Sequence, residues 1–144
     1  MNFSGNYLFD APAQRVWDAL MDPQAMSHCI PGCQGLTPDG EGRYRAILTG
    51  RMGPLRTRVN ATITLTDLAP HQSYRLTIEA QGAMGSGSGE ALVTLLEQSG
   101  QTTVQVDGEA QAGGAAGRMA QGMMEGAAQR MFQRFFDCLS QSVK

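Results

Sequence analysis

Long apolar runs are missing from this chain of 144 residues, and none approaches the roughly 20 residues that a helix needs to cross a bilayer. Basic blocks are missing too: eleven Lys and Arg against thirteen Asp and Glu leave a net charge of −2, with nothing able to follow a phosphate backbone. Nucleic acid is therefore not an expected partner. The opening Met1-Asn2-Phe3-Ser4-Gly5 lacks the charged and apolar regions of an export signal, so a cytoplasmic protein is expected. Three cysteines are an odd number without such a signal, and reduced thiols follow as the default. Two histidines leave general acid-base chemistry few candidates. Aromatics make up only 6% of the residues.

What the chain has in excess is glycine, 18 residues, and methionine, nine. Methionine fills space adaptably and glycine permits bends and close approaches, so the pair points to a compliant interior in one domain over residues 1–144.

Residues 2–9 alternate as a strand. Asp10 is placed to cap a helix that carries Val16, Trp17, Leu20 and Met21, and Asp22-Pro23 breaks it and starts a second short one through Met26. Residues 31–42, rich in Pro and Gly, read as loop or a short irregular strand. Beyond Gly42 the period becomes two: Tyr44, Ala46 and Leu48 alternate with Arg43, Arg45 and Thr49, and Val59, Ala61, Ile63 and Leu65 with Arg58, Asn60, Thr62 and Thr64. Tyr74, Leu76, Ile78 and Ala80, then Ala91, Val93 and Leu95, then Val104 and Val106 repeat the pattern, with turns at Gly53-Pro54, Pro70–Ser73 and Ser99-Gly100.

The last thirty residues return to helical spacing. Ala120, Met123, Met124, Ala127, Ala128, Met131, Phe135, Cys138 and Leu139 form one stripe and Arg118, Gln121, Glu125, Gln129, Gln133, Asp137 and Gln141 the other. An antiparallel sheet with one apolar face needs a cover, and this helix is the only element long enough to supply it. The expected class is α+β: a curved antiparallel sheet wrapped around a long C-terminal helix, with two short helices after the first strand. Small or flexible facing residues leave a cavity between the two layers.

The order and motifs resemble the CoxG family of carbon monoxide dehydrogenase accessory proteins, a branch of the START-like, helix-grip superfamily. The resemblance rests on Phe3-Ser4-Gly5, on Val16-Trp17-Asp18-Ala19-Leu20-Met21-Asp22-Pro23, on Cys29-Ile30-Pro31-Gly32-Cys33, on Tyr44 with its strand, on Met52-Gly53-Pro54 and on Phe135-Phe136. It implies an accessory protein, not an enzyme, that binds a quinone or other apolar lipid and assists membrane recruitment, assembly or electron-acceptor supply of a molybdenum hydroxylase. It implies no covalent cofactor. Some members continue into a membrane-binding tail, whereas this chain stops at Ser142-Val143-Lys144, so a self-contained membrane anchor is not expected; the resemblance implies a cytoplasmic protein, peripheral at the inner face of the membrane.

The candidate apolar pocket comprises Ile30, Leu48, Met52, Ile63, Ile78, Met84, Met119, Met123, Ala127 and Met131. Gly122 and Gly126 favour a real cavity there, because each costs up to about 1 kcal/mol in a helix interior. His28, Cys29 and Cys33 lie close in sequence but are too few for a closed metal site, and no metal or catalytic residue is assigned. The glycines of Gly82–Gly89 precede a strand instead of a helix, which speaks against a phosphate loop and for a bend or bulge in a curved sheet. Two alternatives stay open. One is a cyclase- or dehydratase-like enzyme, which would need Tyr44 or Tyr74 inside beside a carboxylate; the other is an adaptor that docks an acidic partner through Arg43, Arg45, Arg51, Arg56 and Arg58.

Overall fold

The computed structural model describes residues 2–52, 55–83, 85–113 and 121–143. Strand β1 (Asn2–Phe9) is followed by helices α1 (Ala13–Met21) and α2 (Pro23–Cys29). Six further strands come next: β2 (Cys33–Pro38), β3 (Arg43–Met52), β4 (Leu55–Ala69), β5 (Ser73–Gly82), β6 (Gly85–Gln98) and β7 (Gln101–Gly113). Helix α3 (Gln121–Ser142) ends the described chain. The strands form one antiparallel sheet in the order β1-β7-β6-β5-β4-β3-β2, so every neighbour except the β1–β7 pair is joined by a sequential connection.

The two-residue period sorts the sheet into faces. Val93, Val104 and Val106 are buried on the face turned to the helices, while Glu90, Asp107 and Glu109 on the same strands are exposed. Helix α1 presses Val16, Trp17 and Leu20 onto that face, and the Trp17 ring meets Tyr74 edge-on with centroids 5.7 Å apart. Helix α3 lies along β1 and stacks Phe132 on Phe3 at 5.0 Å and Phe136 on Tyr7 at 4.4 Å. Such ring pairs contribute about 0.5–1.5 kcal/mol each beyond the area they bury. Gly5, between Phe3 and Tyr7, makes room: a Cβ there would lie 2.6 Å from the Tyr7 hydroxyl.

Three local features differ from the sequence reading. Asp10 does not cap α1. Pro12 occupies the cap position without a side-chain bond, and Glu97 of β6 instead accepts from the Ala13 backbone N–H through Oε1 at 2.5 Å. A carboxylate from another element completes the turn and also meets the positive end of the helix dipole. The Gly82–Gly89 segment is not a bulge: Gly82 pairs with Gly85 to close a hairpin and the β5–β6 ladder runs on in register. The irregularities fall elsewhere, between Cys33 and Gly35 and between Thr66 and Ala69, where Asp67 has φ of 52°. Finally, the thiols are not all reduced. Cys29, at the end of α2, is bonded to Cys138 of α3 across 109 residues, and Cys33 is free.

The Pro31-Gly32 step sets where β2 begins. Gly32 has φ of 77°, its carbonyl accepts from the Thr49 N–H at 2.8 Å, and a Cβ would run into the Thr49 carbonyl. Replacing Gly32 with Ala is expected to cost about 2 kcal/mol or more, because positive φ and a backbone clash add. Gly35→Ala, where nothing lies within 4 Å of the added carbon, serves as the near-neutral control in the same denaturant titration. Thiol counting tests the cross-link: one reactive cysteine before reduction and three after, in denaturant, is the expected result, and three before reduction contradicts it. On loop-entropy grounds Cys138→Ser is expected to lose up to about 4–5 kcal/mol.

Candidate functional site

The face turned to the helices changes character along its strands. Near α1 it is lined by Tyr7, Phe9, Tyr74, Val93, Leu95 and Val104, all buried. Toward the other end the register brings small residues together. Ala46, Ala61, Ala80, Gly87 and Ala112 occupy successive positions on one rung across β3, β4, β5, β6 and β7. Gly89 and Ala110 continue the next rung from Ile63 and Ile78, and Ala91 and Gly108 the one after, from Leu65 and Leu76. Five strands about 4.8 Å apart make this a floor on the order of 19 Å long from which few side chains rise.

Of the candidate pocket residues, Ile63 is buried on this face beside its cross-strand partner Ile78, and Ile30, Leu48 and Ile78 are half-buried against the core. The Thr49–Gly32 bond and the Cys33–Leu48 register set the Ile30 segment beside Leu48. Met84 and Met119 lie outside the described residues. Met52, Met123 and Ala127 are placed on β3 and α3 by their backbone alone. Met131 requires correction. It is 42% exposed, and the side of α3 that reaches the core carries Phe132, Phe136, Leu139 and Val143 instead. Sequence reading expected small facing residues but not their alignment on one rung, which cross-strand register alone reveals.

The electrostatics of this face are quiet. Tyr74 is fully buried and burial alone holds its hydroxyl far above the usual tyrosine range, so it stays neutral. Tyr7 is raised as well, by burial first and then by the nearby Asp137. Tyr44 and Tyr74 both point inward, yet Glu79, Glu90, Asp107 and Glu109 are all exposed on the opposite face. His28, Cys29 and Cys33 do not converge as ligands, since the Cys29 sulfur is bonded to Cys138. Among the described residues no group of three His, Cys, Asp or Glu could hold a metal ion.

The outer face carries charge, unevenly. A groove of about 780 Å³ passes the β1 edge, from Phe3 and Gln129 to Arg75, Glu90, Asp107 and Glu109. Within it Arg75 donates to Glu90 at 2.7 Å and also pairs with Asp67 at 3.4 Å. These are surface ion pairs that brace neighbouring strands. A second groove, about 560 Å³, lies at the β3–β4 end between Gln34, Thr49, Gly50, Arg56, Thr57 and Arg58. No helix among the described residues is long and apolar enough to cross a membrane.

Comparison with solved structures gives the same architecture. A conserved protein from Geobacillus kaustophilus superposes with a TM-score of 0.94 at 28% identity, covering 99% of this chain and 95% of its own. A START superfamily protein from Mycobacterium smegmatis aligns at 0.76 and 14% identity over 99% of this chain and 96% of its own. The Zhui aromatase/cyclase from Streptomyces sp. R1128 aligns at 0.69 and 15% identity, over 99% and 93%. The fold is thus the curved sheet around a C-terminal helix that the sequence pattern implied, the START-like helix grip of the resemblance. No curated protein matches the chain. The model of the carbon monoxide dehydrogenase CoxG family matches residues 5–144, and the chain belongs to that family.

Proposed function

We propose that this protein is a non-catalytic carrier that holds a quinone or a lipid between α3 and the inner face of the sheet. It serves as accessory to a molybdenum hydroxylase of the carbon monoxide dehydrogenase kind, from the cytoplasmic side and in peripheral contact with the membrane. The observation that carries this reading is the floor of Ala46, Ala61, Ala80, Gly87 and Ala112. Helix α3 is held at a fixed height by the Phe132 and Phe136 stacks, and a helix standing off large side chains at one end leaves a gap above small ones at the other. From Phe132 back to Met123 is nine residues, about 14 Å of helix, which matches the four residues of β7 from Gly108 to Ala112. The turn around Met123 is thereby brought level with the small-residue rung.

Apolar walls and neutral tyrosines suit a ligand recognised by shape. Ile63 and Ile78 rise from the rung on one side of the floor and Leu48 from the rung on its other side, with Ile30 beside Leu48. Met52, Met84, Met119, Met123 and Ala127 are assigned to complete it by residue type, since methionine repacks around a ligand at little cost. The cyclase reading has less support: Tyr44 and Tyr74 have no inward carboxylate beside them among the described residues, and Tyr7 has only the exposed Asp137 nearby.

The test is a filled floor. Ala80 is half-buried at the centre of the rung, so Ala80→Phe projects a ring into the gap. Wild-type protein purified without delipidation is expected to retain an extractable quinone or lipid by native mass spectrometry and to bind added decylubiquinone. The variant is expected to bind at least about tenfold more weakly, with a thermal midpoint within a few degrees of wild type. Equal ligand retention by the two proteins, or none by wild type, contradicts the carrier reading.

A further inference from the structure

Apart from its tyrosines and Trp17, the described interior carries one buried polar residue, Thr102, whose hydroxyl donates to the Ala11 carbonyl at 2.8 Å. Tyr74 has no such arrangement. It is 4% exposed, yet its hydroxyl makes no hydrogen bond among the described residues. A hydroxyl in apolar surroundings is costly to leave unpaired, and proteins leave few that way. The oxygen is not sealed in, however. No side-chain oxygen or nitrogen among the described residues is both cut off from solvent and unpartnered, so the Tyr74 hydroxyl borders open space.

That space is continuous with the small-residue floor. Above Tyr74 the inward residues of β5 are Leu76, Ile78 and Ala80, all half-buried although they lie on the face turned to the helices. Their partners on β6 are Ala91, Gly89 and Gly87, which project no further than a methyl group. A channel therefore runs along β5 and β6 from Ala80 to the position next to Tyr74, about 20 Å of strand. Below, it is closed: Val93, the cross-strand partner of Tyr74, is fully buried, and Trp17 meets the tyrosine ring edge-on at 5.7 Å. Burial holds the Tyr74 hydroxyl protonated, as befits an oxygen deep in the protein and not at its rim.

Charge restricts what can meet this hydroxyl. No Asp, Glu, Lys or Arg is buried among the described residues, so an ionised head at that depth would lose its hydration without gaining a counter-ion. A protonated phenol donates one hydrogen bond, and a neutral carbonyl, ether or hydroxyl oxygen accepts it.

We infer that Tyr74 marks the inner end of the ligand gap and donates a hydrogen bond to a neutral acceptor oxygen on the head of the ligand, so that the head enters first and the apolar tail lies over the small-residue floor. This rests on the carrier reading and adds to it the polar contact and the direction of the ligand.

Removing the hydroxyl while keeping the ring is the test. Tyr74→Phe is expected to bind decylubiquinone about three- to tenfold more weakly than wild type, the net worth of one hydrogen bond, whereas diphenylhexatriene, which has no acceptor, should bind both proteins within about twofold. Infrared spectroscopy reads the contact itself: a carbonyl stretch of the bound quinone should lie below its position in hexane for wild type and return toward it in Tyr74→Phe. Tyr44 stands at the other end of the gap, on the Ile63 and Ile78 rung, so Tyr44→Phe should leave that band where wild type has it. Since the Tyr74 hydroxyl has no partner in the free protein, unliganded Tyr74→Phe should melt no lower than wild type. The inference is overturned if Tyr74→Phe keeps the wild-type affinity and band, if it loses diphenylhexatriene as much as quinone, or if Tyr44→Phe moves the band instead. In each of those cases quinone still binds and the carrier reading stands. Failure of wild type to bind either probe removes the carrier reading and this inference with it.

Discussion

The contact on which the rest of the molecule depends is the stack of α3 aromatics on β1. Phe136 lies flat on Tyr7 and edge-on to Phe9, and Phe132 lies on Phe3. Strand β1 is an edge of the sheet, paired only with β7, so a helix anchored there both covers the inner face and holds the edge in place. The Cys29–Cys138 bond then ties the same half of α3 to α2, and Leu139 and Val143 bury the remainder of that half. Among the described residues, the contacts that fix the helix are concentrated near the α1 and α2 end, where the strands also carry their largest inward side chains. The height of the helix is therefore set at one end and inherited at the other.

That inheritance explains the composition. If small residues were scattered, the sheet would be weakly packed throughout. Here they share rungs, so the large inward side chains near Val93, Val104 and Phe136 coexist with a band of small ones along Ala61, Ala80 and Gly87. Gly108 belongs to the boundary between the two zones. A Cβ on it would come within 2.7 Å of both the Phe3 ring and the Glu90 carbonyl, so the glycine lets the Phe3–Phe132 stack sit down on the sheet.

The strands and both short helices were legible because their signals are local: a period of two, an Asp-Pro that ends one helix and caps the next, glycines at the hairpins. Asp22 does accept from the Gln24 N–H, as a residue in that position should. What was not legible depends on residues distant in sequence. The Glu97 cap on α1 spans 84 residues and the Cys29–Cys138 bond 109, and neither leaves a trace near its partner. The phase of α3 was legible at Phe135, Cys138 and Leu139, which pack on the core, and was missed at Met131 for a different reason. Met131, Phe132, Phe135 and Phe136 are apolar on every side of their turn, so periodicity alone admits two stripes, and only the rings of β1 decide between them. The candidate site was legible as a wall of methionine and aliphatic residues but not as a floor, because cross-strand register, which aligns the alanines, is a property of the paired strands.

The two ends of α3 are held by different physics. Its C-terminal half has ring stacks, a covalent bond and buried aliphatic side chains; its first turns contain Gly122 and Gly126, and a glycine in a helix interior costs about 1 kcal/mol relative to alanine. The only described heavy atom near a Cβ on Gly126 is an Arg130 guanidinium nitrogen at 3.3 Å, the far end of a flexible chain, so packing does not demand glycine there. On the carrier reading, a ligand supplies the contacts that the small-residue floor withholds, and whatever binds the folded state adds RT ln(1 + [L]/Kd) to its stability.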